Sequence, residues 1–160
     1  MMTGLSKLQE EYKYIRKSGI LATIGGSAGP INKYNYFHWS GCFIGPKNSP
    51  YMNGLFYLEM KFPNDYPNKP PYDVQMRTPT YHPNIWNMNG HICVSYLSSW
   101  KMDHNIVGII NSVFDLLADE NPGNGYHVHD KQKATDYKNI YATESQNIDW
   151  NNSWDKGWDE

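Results

Sequence analysis

The chain has only two cysteines, Cys42 and Cys93, among its 160 residues. Two thiols are too few for the disulfide framework of a small secreted domain. A chain of this length buries roughly two-thirds of its unfolded surface, so neither disulfides nor a metal ion are needed for stability. We therefore expect reduced thiols and a location in the cytoplasm, the nucleus or both.

The sequence also lacks long hydrophobic runs and an excess of charge of one sign. A membrane-spanning helix needs ~20 consecutive apolar residues, and no run comes close to that length. Fourteen basic and sixteen acidic residues give a net charge of -2, whereas proteins that bind nucleic acids cluster Lys and Arg on one face. Residues 1–11 show no pattern of a targeting peptide. The sequence predicts a soluble globular domain, with neither a membrane nor a nucleic acid as partner.

Proline is concentrated in the middle of the chain, where nine of the ten prolines lie between Pro30 and Pro83. Before them, apolar residues at steps of three and four predict a helix over 5–17, with its charges outward and with Ser6 and Gln9 as a capping box. Aromatic and β-branched stretches between turn clusters then predict an antiparallel meander. Its strands are predicted over 21–25, 34–44, 55–62 and 72–77, and residues 27–30 are predicted to form a turn.

Two kinds of segment follow the predicted sheet. Residues 78–104 have neither a helical nor a strand period, and loops this long within a compact domain are usually functional. The apolar stripe over 106–117 predicts a helix packed against the sheet, and residues 131–146 predict a helix with a weaker stripe. We therefore expect the chemistry of the protein in the loop over 78–104.

Cys93 lies in this loop after a glycine turn, whereas Cys42 lies within a predicted core strand. A loop thiol is more often reactive, and a buried thiol behaves as a small hydrophobic group. The loop also holds His82, His91 and His104, which leaves open a Cys-His hydrolase or a zinc site. No CxxC or HxxxH spacing supports a metal site, and His91 is poorly placed as a base for Cys93 in an extended segment. No metal is predicted.

The stretch Tyr81-His82-Pro83-Asn84, followed by Gly90-His91-Ile92-Cys93, resembles the ubiquitin-conjugating enzymes. The resemblance covers residues 5–148 and includes further motifs in family order. They are Ser27-Ala28-Gly29-Pro30, Phe37-His38-Trp39, Ile44-Gly45-Pro46, Ser49-Pro50-Tyr51, Gly54, Phe62-Pro63, Asp65-Tyr66-Pro67, Lys69-Pro70-Pro71, Trp100 and Asn121-Pro122. The resemblance implies the α+β UBC fold, with an N-terminal helix, a four-stranded antiparallel meander, a central helix and C-terminal helices.

The resemblance also implies a reaction. Cys93 would accept ubiquitin from the activating enzyme as a thioester and pass it to a substrate lysine or to the cysteine of a ligase. Asn84 would donate a hydrogen bond to the oxyanion or brace the loop before Cys93. By the same resemblance His82 and Pro83 would hold the loop backbone. ATP and magnesium would be used by the activating enzyme, because this sequence has no phosphate-cradling loop and no bound cofactor is expected.

Some positions depart from the family pattern. Where many relatives carry acids that help the attacking lysine, this chain has Ser95 and Asn124, while Tyr81 and Asn121 would line the approach of the amine. The expected ligase-docking residues are Pro67, Asn68, Lys69, Trp100, Lys101 and Met102. Among these positions, Asn68 stands where many relatives have an aromatic residue, and Lys101-Met102-Asp103 stands where they have Ser-Pro-Ala, which leaves the type of ligase open. Small or polar residues occupy the face of the central helix on which relatives hold a folded-back ubiquitin, namely Gly108, Asn111 and Asp115. His127 and His129 match no family position.

We divide the chain into a catalytic domain over 1–148 and an acidic Trp-rich tail over 149–160. The tail would bind a partner, or it would fold back on its own domain or be disordered. Ser27 would mark the outer surface of the sheet, where relatives bind a second ubiquitin noncovalently. The partners expected are ubiquitin, the activating enzyme and a ligase, and the chain itself would be a monomer. Two alternatives stay open, namely an inactive scaffold and an enzyme for another modifier such as SUMO.

Overall fold

The computed structural model describes residues 3–150, which form a four-stranded antiparallel sheet flanked by helices. The strands are β1 (Ser27–Asn32), β2 (Asn35–Ile44), β3 (Leu55–Lys61) and β4 (Asp73–Met76), in that order across the sheet. The α-helices are α1 (Gly4–Ser18), α2 (Ser95–Ser98), α3 (Ile106–Ala118) and α4 (Lys131–Tyr141), and a 3-10 helix spans Ile20–Ile24. The predicted α+β order of helix, meander and further helices is confirmed.

One face of the sheet is buried under α3. Alternate residues of a strand share a face, and in β2 the fully buried residues Trp39 and Phe43 lie on the same face as Gly41. A Cβ on Gly41 would lie 3.0 Å from Ile110 Cδ1, so this glycine leaves room for the helix. The predicted apolar stripe of α3 is confirmed, because five of its residues are buried. They are Ile106, Ile109, Ile110, Val113 and Leu117.

The predictions for residues 21–30 are wrong. The predicted strand over 21–25 lies in the 3-10 helix, which is bounded by Gly19 and Gly25 with φ of 63° and 64°. The predicted turn over 27–30 lies in β1, which pairs with β2. A short apolar run does not distinguish a strand from a helical turn. Pro30 is tolerated because β1 is an edge strand, where a missing N–H costs no ladder bond.

Helix α1 begins one turn earlier than the capping box predicts. Thr3 is the N-cap, and its Oγ1 accepts a hydrogen bond from the backbone N–H of Ser6 at 3.0 Å. The charges of α1 are also not all outward, because Glu11 is buried. Its carboxylate accepts hydrogen bonds from the Tyr66 hydroxyl at 2.6 Å and from the backbone N–H of Ile106 at 2.8 Å. Burial raises the pKa of Glu11, and these two hydrogen bonds oppose the rise.

Helix α4 ends at Tyr141 and does not reach residue 146. The chain then crosses to the outer face of the sheet, where the Gln146 side chain donates to the carbonyl of Leu55 at 2.8 Å and accepts from the Thr78 hydroxyl at 2.6 Å. Trp150 packs there edge-on against Tyr57, with ring centroids 6.1 Å apart. Part of the predicted tail therefore folds back on its own domain. Trp154 and Trp158 lie outside the described residues.

Within residues 3–150, none of the helices combines the length and the apolar character that crossing a membrane requires.

Candidate functional site

Cys93 lies at the surface, between a β-bridge and the short helix α2. Its backbone N–H donates a hydrogen bond to the carbonyl of Asn84 at 2.9 Å, and the neighbouring Ile92 pairs with Ile85. The Cys93 side chain is exposed. Among the described residues no side chain donates a hydrogen bond to its sulfur or accepts one from it. The sulfur is thus held on a fixed backbone and faces solvent. His91 lines the same cleft but is not hydrogen-bonded to the sulfur.

A cleft of about 230 Å³ opens beside Cys93. The start of β4 forms one wall, with Tyr72 and Asp73, and Leu97 of α2 lies on the other side. An extended peptide end can therefore approach the sulfur. Asp73 is half-buried in this wall. Burial raises the pKa of its carboxyl, whereas the nearby positive charge of Lys61 lowers it.

The second thiol lies in a different environment. Cys42 is half-buried in β2 and lies on the outer face, across from Ser27 of β1. Its sulfur lies 3.3 Å from the Ser27 hydroxyl. The prediction that Cys42 is a core residue is therefore wrong, because the alternation along β2 turns it away from α3. Ser27 is exposed on the outer face of the sheet, where it was predicted.

His82 is buried and both of its ring nitrogens are bonded to the backbone. Nε2 donates to the carbonyl of Leu116 at 3.0 Å, and Nδ1 accepts from the N–H of Asn84 at 3.0 Å. Burial lowers the pKa of His82 to about 4, and the bond to Leu116 opposes that shift. The ring is neutral at physiological pH and is not available as a base for Cys93. Its contacts match the structural role that the sequence implied, and the adjacent Pro83 is buried as well.

The loop between α3 and α4 lies directly on the Pro83-Asn84 segment. The backbone N–H of Tyr126 donates to the carbonyl of Pro83 at 2.7 Å. A Cβ on Gly125 would lie 2.4 Å from that carbonyl and 3.8 Å from the Asn84 amide nitrogen, so only glycine fits there. The structure therefore brings Asn84 next to this loop, and Asn84 itself is half-buried.

The other residues predicted to line the approach of the attacking lysine amine differ in their exposure. Asn121 and Asn124 are exposed, and Asn124 Oδ1 accepts a hydrogen bond from the backbone N–H of His129 at 3.2 Å. Ser95 is exposed at the start of α2. Tyr81, in contrast, is only 9% exposed and its hydroxyl donates to the carbonyl of Val128 at 3.1 Å. Tyr81 therefore supports the loop from beneath, and it does not line an open approach as the sequence predicted.

The two predicted ligase-docking loops are neighbours. The indole N–H of Trp100 donates to the carbonyl of Pro67 at 2.8 Å and so joins them. The other four docking residues are exposed, namely Asn68, Lys69, Lys101 and Met102.

Gly108 of α3 has a packing role that sequence reasoning missed. A Cβ at this position would lie 1.9 Å from the Tyr96 hydroxyl. That hydroxyl accepts a hydrogen bond from the backbone N–H of Asn105, the N-cap of α3, at 3.0 Å. Asn111 is half-buried and Asp115 is exposed. The absent side chain at Gly108 thus makes room for a contact between α2 and α3, and no sequence signal showed it.

Residues 7–149 match the family model described as ubiquitin-conjugating enzyme. A Toxoplasma gondii ubiquitin conjugating enzyme E2 domain superposes with a TM-score of 0.74 at 27% identity, over 87% of this chain and 99% of that chain. Human ubiquitin-conjugating enzyme E2 G1 superposes with a TM-score of 0.64 at 32% identity, over 70% of this chain and 92% of that chain. The chain belongs to the ubiquitin-conjugating enzyme family, whose fold interacts with ubiquitin, activating enzymes and ligases in general.

Proposed function

We propose that the protein is an active ubiquitin-conjugating enzyme that carries ubiquitin as a thioester on Cys93. The Cys93 thiolate attacks the carbonyl of the thioester on the activating enzyme, and the thiolate of that enzyme leaves. A neutral lysine amine then attacks the new thioester, so that an isopeptide bond forms, Cys93 leaves as a thiolate and the amine releases a proton. A ligase cysteine can take the place of the amine, in which case a second thioester forms.

The observation that carries this proposal is the exposed Cys93 sulfur, which has a cleft beside it and no hydrogen bond to a base among the described residues. A thioester reacts readily with amines and thiols, but its hydrolysis needs a water activated by a base. The buried His82 is neutral, and both of its ring nitrogens are hydrogen-bonded to the backbone. These features suit an acyl carrier better than a hydrolase.

Asn84 and the surface around it determine which acceptor reacts well. When an amine adds to the thioester, negative charge develops on the carbonyl oxygen, and a positioned amide N–H stabilises that charge. Asn84 is the proposed donor. The exposed Ser95 and Asn124 supply no negative charge to attract a lysine ammonium, so we expect slow transfer to free lysine and faster transfer to a ligase cysteine.

We further propose that the enzyme acts as a monomer in the cytoplasm or the nucleus. It would receive ubiquitin from an activating enzyme that consumes ATP with magnesium, and it would itself bind no cofactor. Among residues 3–150 there is no group of three side chains suited to hold a metal ion. The proposed chemistry needs only a thiol, an amide donor and an acyl group delivered by a partner.

A charging assay tests the proposal. The purified chain is incubated with activating enzyme, ATP, magnesium and ubiquitin, and is then run on a gel without reductant. We expect a band shifted by one ubiquitin that disappears with a thiol reductant. No shifted band would favour the inactive scaffold, and a band with SUMO and its activating enzyme but none with ubiquitin would favour the other modifier.

Two matched variants identify the acceptor atom. Cys93→Ser should give at most an ester that resists reductant, since a serine oxygen replaces the sulfur. Cys42→Ser should charge like the parent, because Cys42 lies on the outer face of the sheet beside Ser27. The reverse pattern would exclude Cys93 as the carrier.

A further inference from the structure

His127 belongs to the α3–α4 loop, and its ring stacks against two other aromatic rings. Its imidazole stacks on Tyr81, with ring centroids 5.0 Å apart, and lies nearly parallel to Trp86, with centroids 6.1 Å apart and planes inclined by 8°. Lys133 Nζ lies 4.7 Å from the centroid of the Tyr81 ring. We call the rings of Tyr81, His127 and Trp86 the aromatic column.

The aromatic column holds both ends of the segment that carries Asn84. Tyr81 precedes His82-Pro83-Asn84-Ile85 and Trp86 follows it. His127 also reaches the segment itself, because its Nε2 lies 3.1 Å from the carbonyl oxygen of Ile85. A carbonyl only accepts, so Nε2 is the donor. The loop thus donates hydrogen bonds to this segment from His127 to Ile85 and from the Tyr126 N–H to Pro83.

These two bonds lie on either side of Asn84. The peptide groups of Pro83 and Ile85 are both anchored to the loop, and the carbonyl of Asn84 accepts from the N–H of Cys93. The orientation of the Asn84 backbone limits the directions in which its side-chain amide can point. A displacement of about 1 Å in a catalytic group can cost on the order of 100-fold in rate.

We propose that His127 is a positioning residue, which holds the Ile85 peptide and thereby orients the Asn84 amide toward the thioester on Cys93. This inference rests on the proposed function. Because His127 acts through Asn84, we expect it to affect transfer from Cys93 and not charging by the activating enzyme. Its hydrogen bond to Ile85 is the essential contact, and the stacked rings hold the imidazole in place.

The first test separates charging from discharge. His127→Ala should be charged with ubiquitin within twofold of the parent, while its discharge to free lysine should fall about tenfold. His127→Gln keeps an N–H donor for Ile85 and should recover most of the rate, whereas His127→Phe keeps a ring without a donor and should not. The control is His129→Ala, which removes the other histidine of the loop and should discharge like the parent. Equal losses in charging and discharge, or recovery by Phe and not Gln, would overturn the proposal.

The second test is a double-variant comparison. If His127 acts through Asn84, removing both side chains should slow discharge no more than removing Asn84 alone. Multiplied losses in the double variant would show that His127 acts by another route. Thermal unfolding of each variant is measured alongside, and charging by the activating enzyme reports independently that the active-site loop is folded.

A third measurement does not depend on enzymatic activity. In a 15N-1H correlation spectrum, the side-chain amide resonances of Asn84 should move in His127→Ala and stay in place in His129→Ala. Unmoved Asn84 resonances in His127→Ala would refute the positioning role even if the parent charges. A parent that does not charge, with Asn84 resonances that do move, would instead show that the proposed function fails while the positioning contact holds.

Discussion

Cys93 and Asn84 are joined by a backbone hydrogen bond of 2.9 Å, from the N–H of Cys93 to the carbonyl of Asn84. This bond sets the distance between the sulfur and the residue proposed to stabilise the oxyanion. It is one of several backbone hydrogen bonds that hold the loop over 78–104 together without long helices or strands. The bridge of Ile85 with Ile92 continues the same pairing, and His82 forms a separate bridge with Ile85 within its own segment.

The Asn84 side chain should affect transfer and not charging. Asn84→Ala removes the proposed donor to the oxyanion, so we expect discharge to free lysine to slow by on the order of 10- to 100-fold. Charging by the activating enzyme should stay within twofold. Single-turnover discharge from the charged protein measures both quantities, with Asn139→Ala on the exposed surface of α4 as the control. Unchanged discharge would remove the proposed role of Asn84.

An acid at position 124 should speed transfer to lysine. Asn124→Asp keeps the acceptor oxygen for the backbone N–H of His129 and adds a negative charge one residue from Gly125, which lies against Asn84. The charge attracts an ammonium group, so discharge should rise severalfold at low salt and less at high salt. The matched control is Asn139→Asp, which changes the net charge equally on α4. An equal gain in both variants would show a general effect of charge.

Acid should destabilise the fold through His82. Burial lowers the pKa of His82 to about 4, against an ordinary value of 6.5. The unfolded chain therefore binds a proton between these values that the folded chain excludes, so the contribution of His82 is complete above pH 6.5 and is lost as the pH falls toward 4. The difference corresponds to about 3 kcal/mol in the free energy of unfolding. Urea unfolding at several pH values measures it.

Burial of the imidazole is the main cause of this acid sensitivity. The protonated ring would also lose the hydrogen bond that Nδ1 accepts from the backbone N–H of Asn84. His82→Ala should be less stable than the parent at pH 7, and its free energy of unfolding should fall less steeply between pH 6.5 and 4. A slope identical to that of the parent would show that other groups cause the acid sensitivity.

Trp150 should limit access to the outer face of the sheet. Its ring packs against Tyr57 and beneath the guanidinium of Arg77, whose carbon lies 5.5 Å from the ring centroid. If Ser27 marks a surface for a second ubiquitin, Trp150→Ala should strengthen noncovalent binding severalfold, because it uncovers the neighbouring Tyr57. An NMR titration with ubiquitin measures the affinity.

Two variants control this experiment. Ser27→Arg should abolish the binding, and Ile140→Ala on the exposed side of α4 should leave it unchanged. Weaker binding in Trp150→Ala would instead show that Trp150 is part of the surface that ubiquitin contacts.

Local patterns were sufficient for much of the fold. The apolar stripe of α3 extends over several turns, and the aromatic and β-branched stretches of β2 and β3 extend over several residues, so neighbouring positions agree. The predictions for residues 21–30 were wrong because both features there depend on tertiary neighbours. One is a 3-10 helix bounded by glycines in the left-handed region, and the other is an edge strand that contains a proline. The predicted end of α4 was wrong for a similar reason, because the side chain of Gln146 forms hydrogen bonds with Leu55 and Thr78 of the sheet region.

The sequence likewise indicated some residues of the candidate site and missed others. The motif around Asn84 and Cys93 is compact in sequence, and the family match over residues 7–149 agrees with it. His127 gave no sequence signal, because its partners Tyr81 and Trp86 lie far from it along the chain and only the path of the α3–α4 loop brings the rings together.

The order of helices and strands and the position of the exposed thiol of Cys93 followed from the sequence, because they depend on short-range periodicity and on a motif. Tertiary structure alone decided which polar groups are buried. Glu11 belongs to a helix whose charges were expected outward, yet it pairs with Tyr66 and with the N–H of Ile106. A buried polar group is stable only where partners satisfy it, and such partners are brought together by the folding of distant segments.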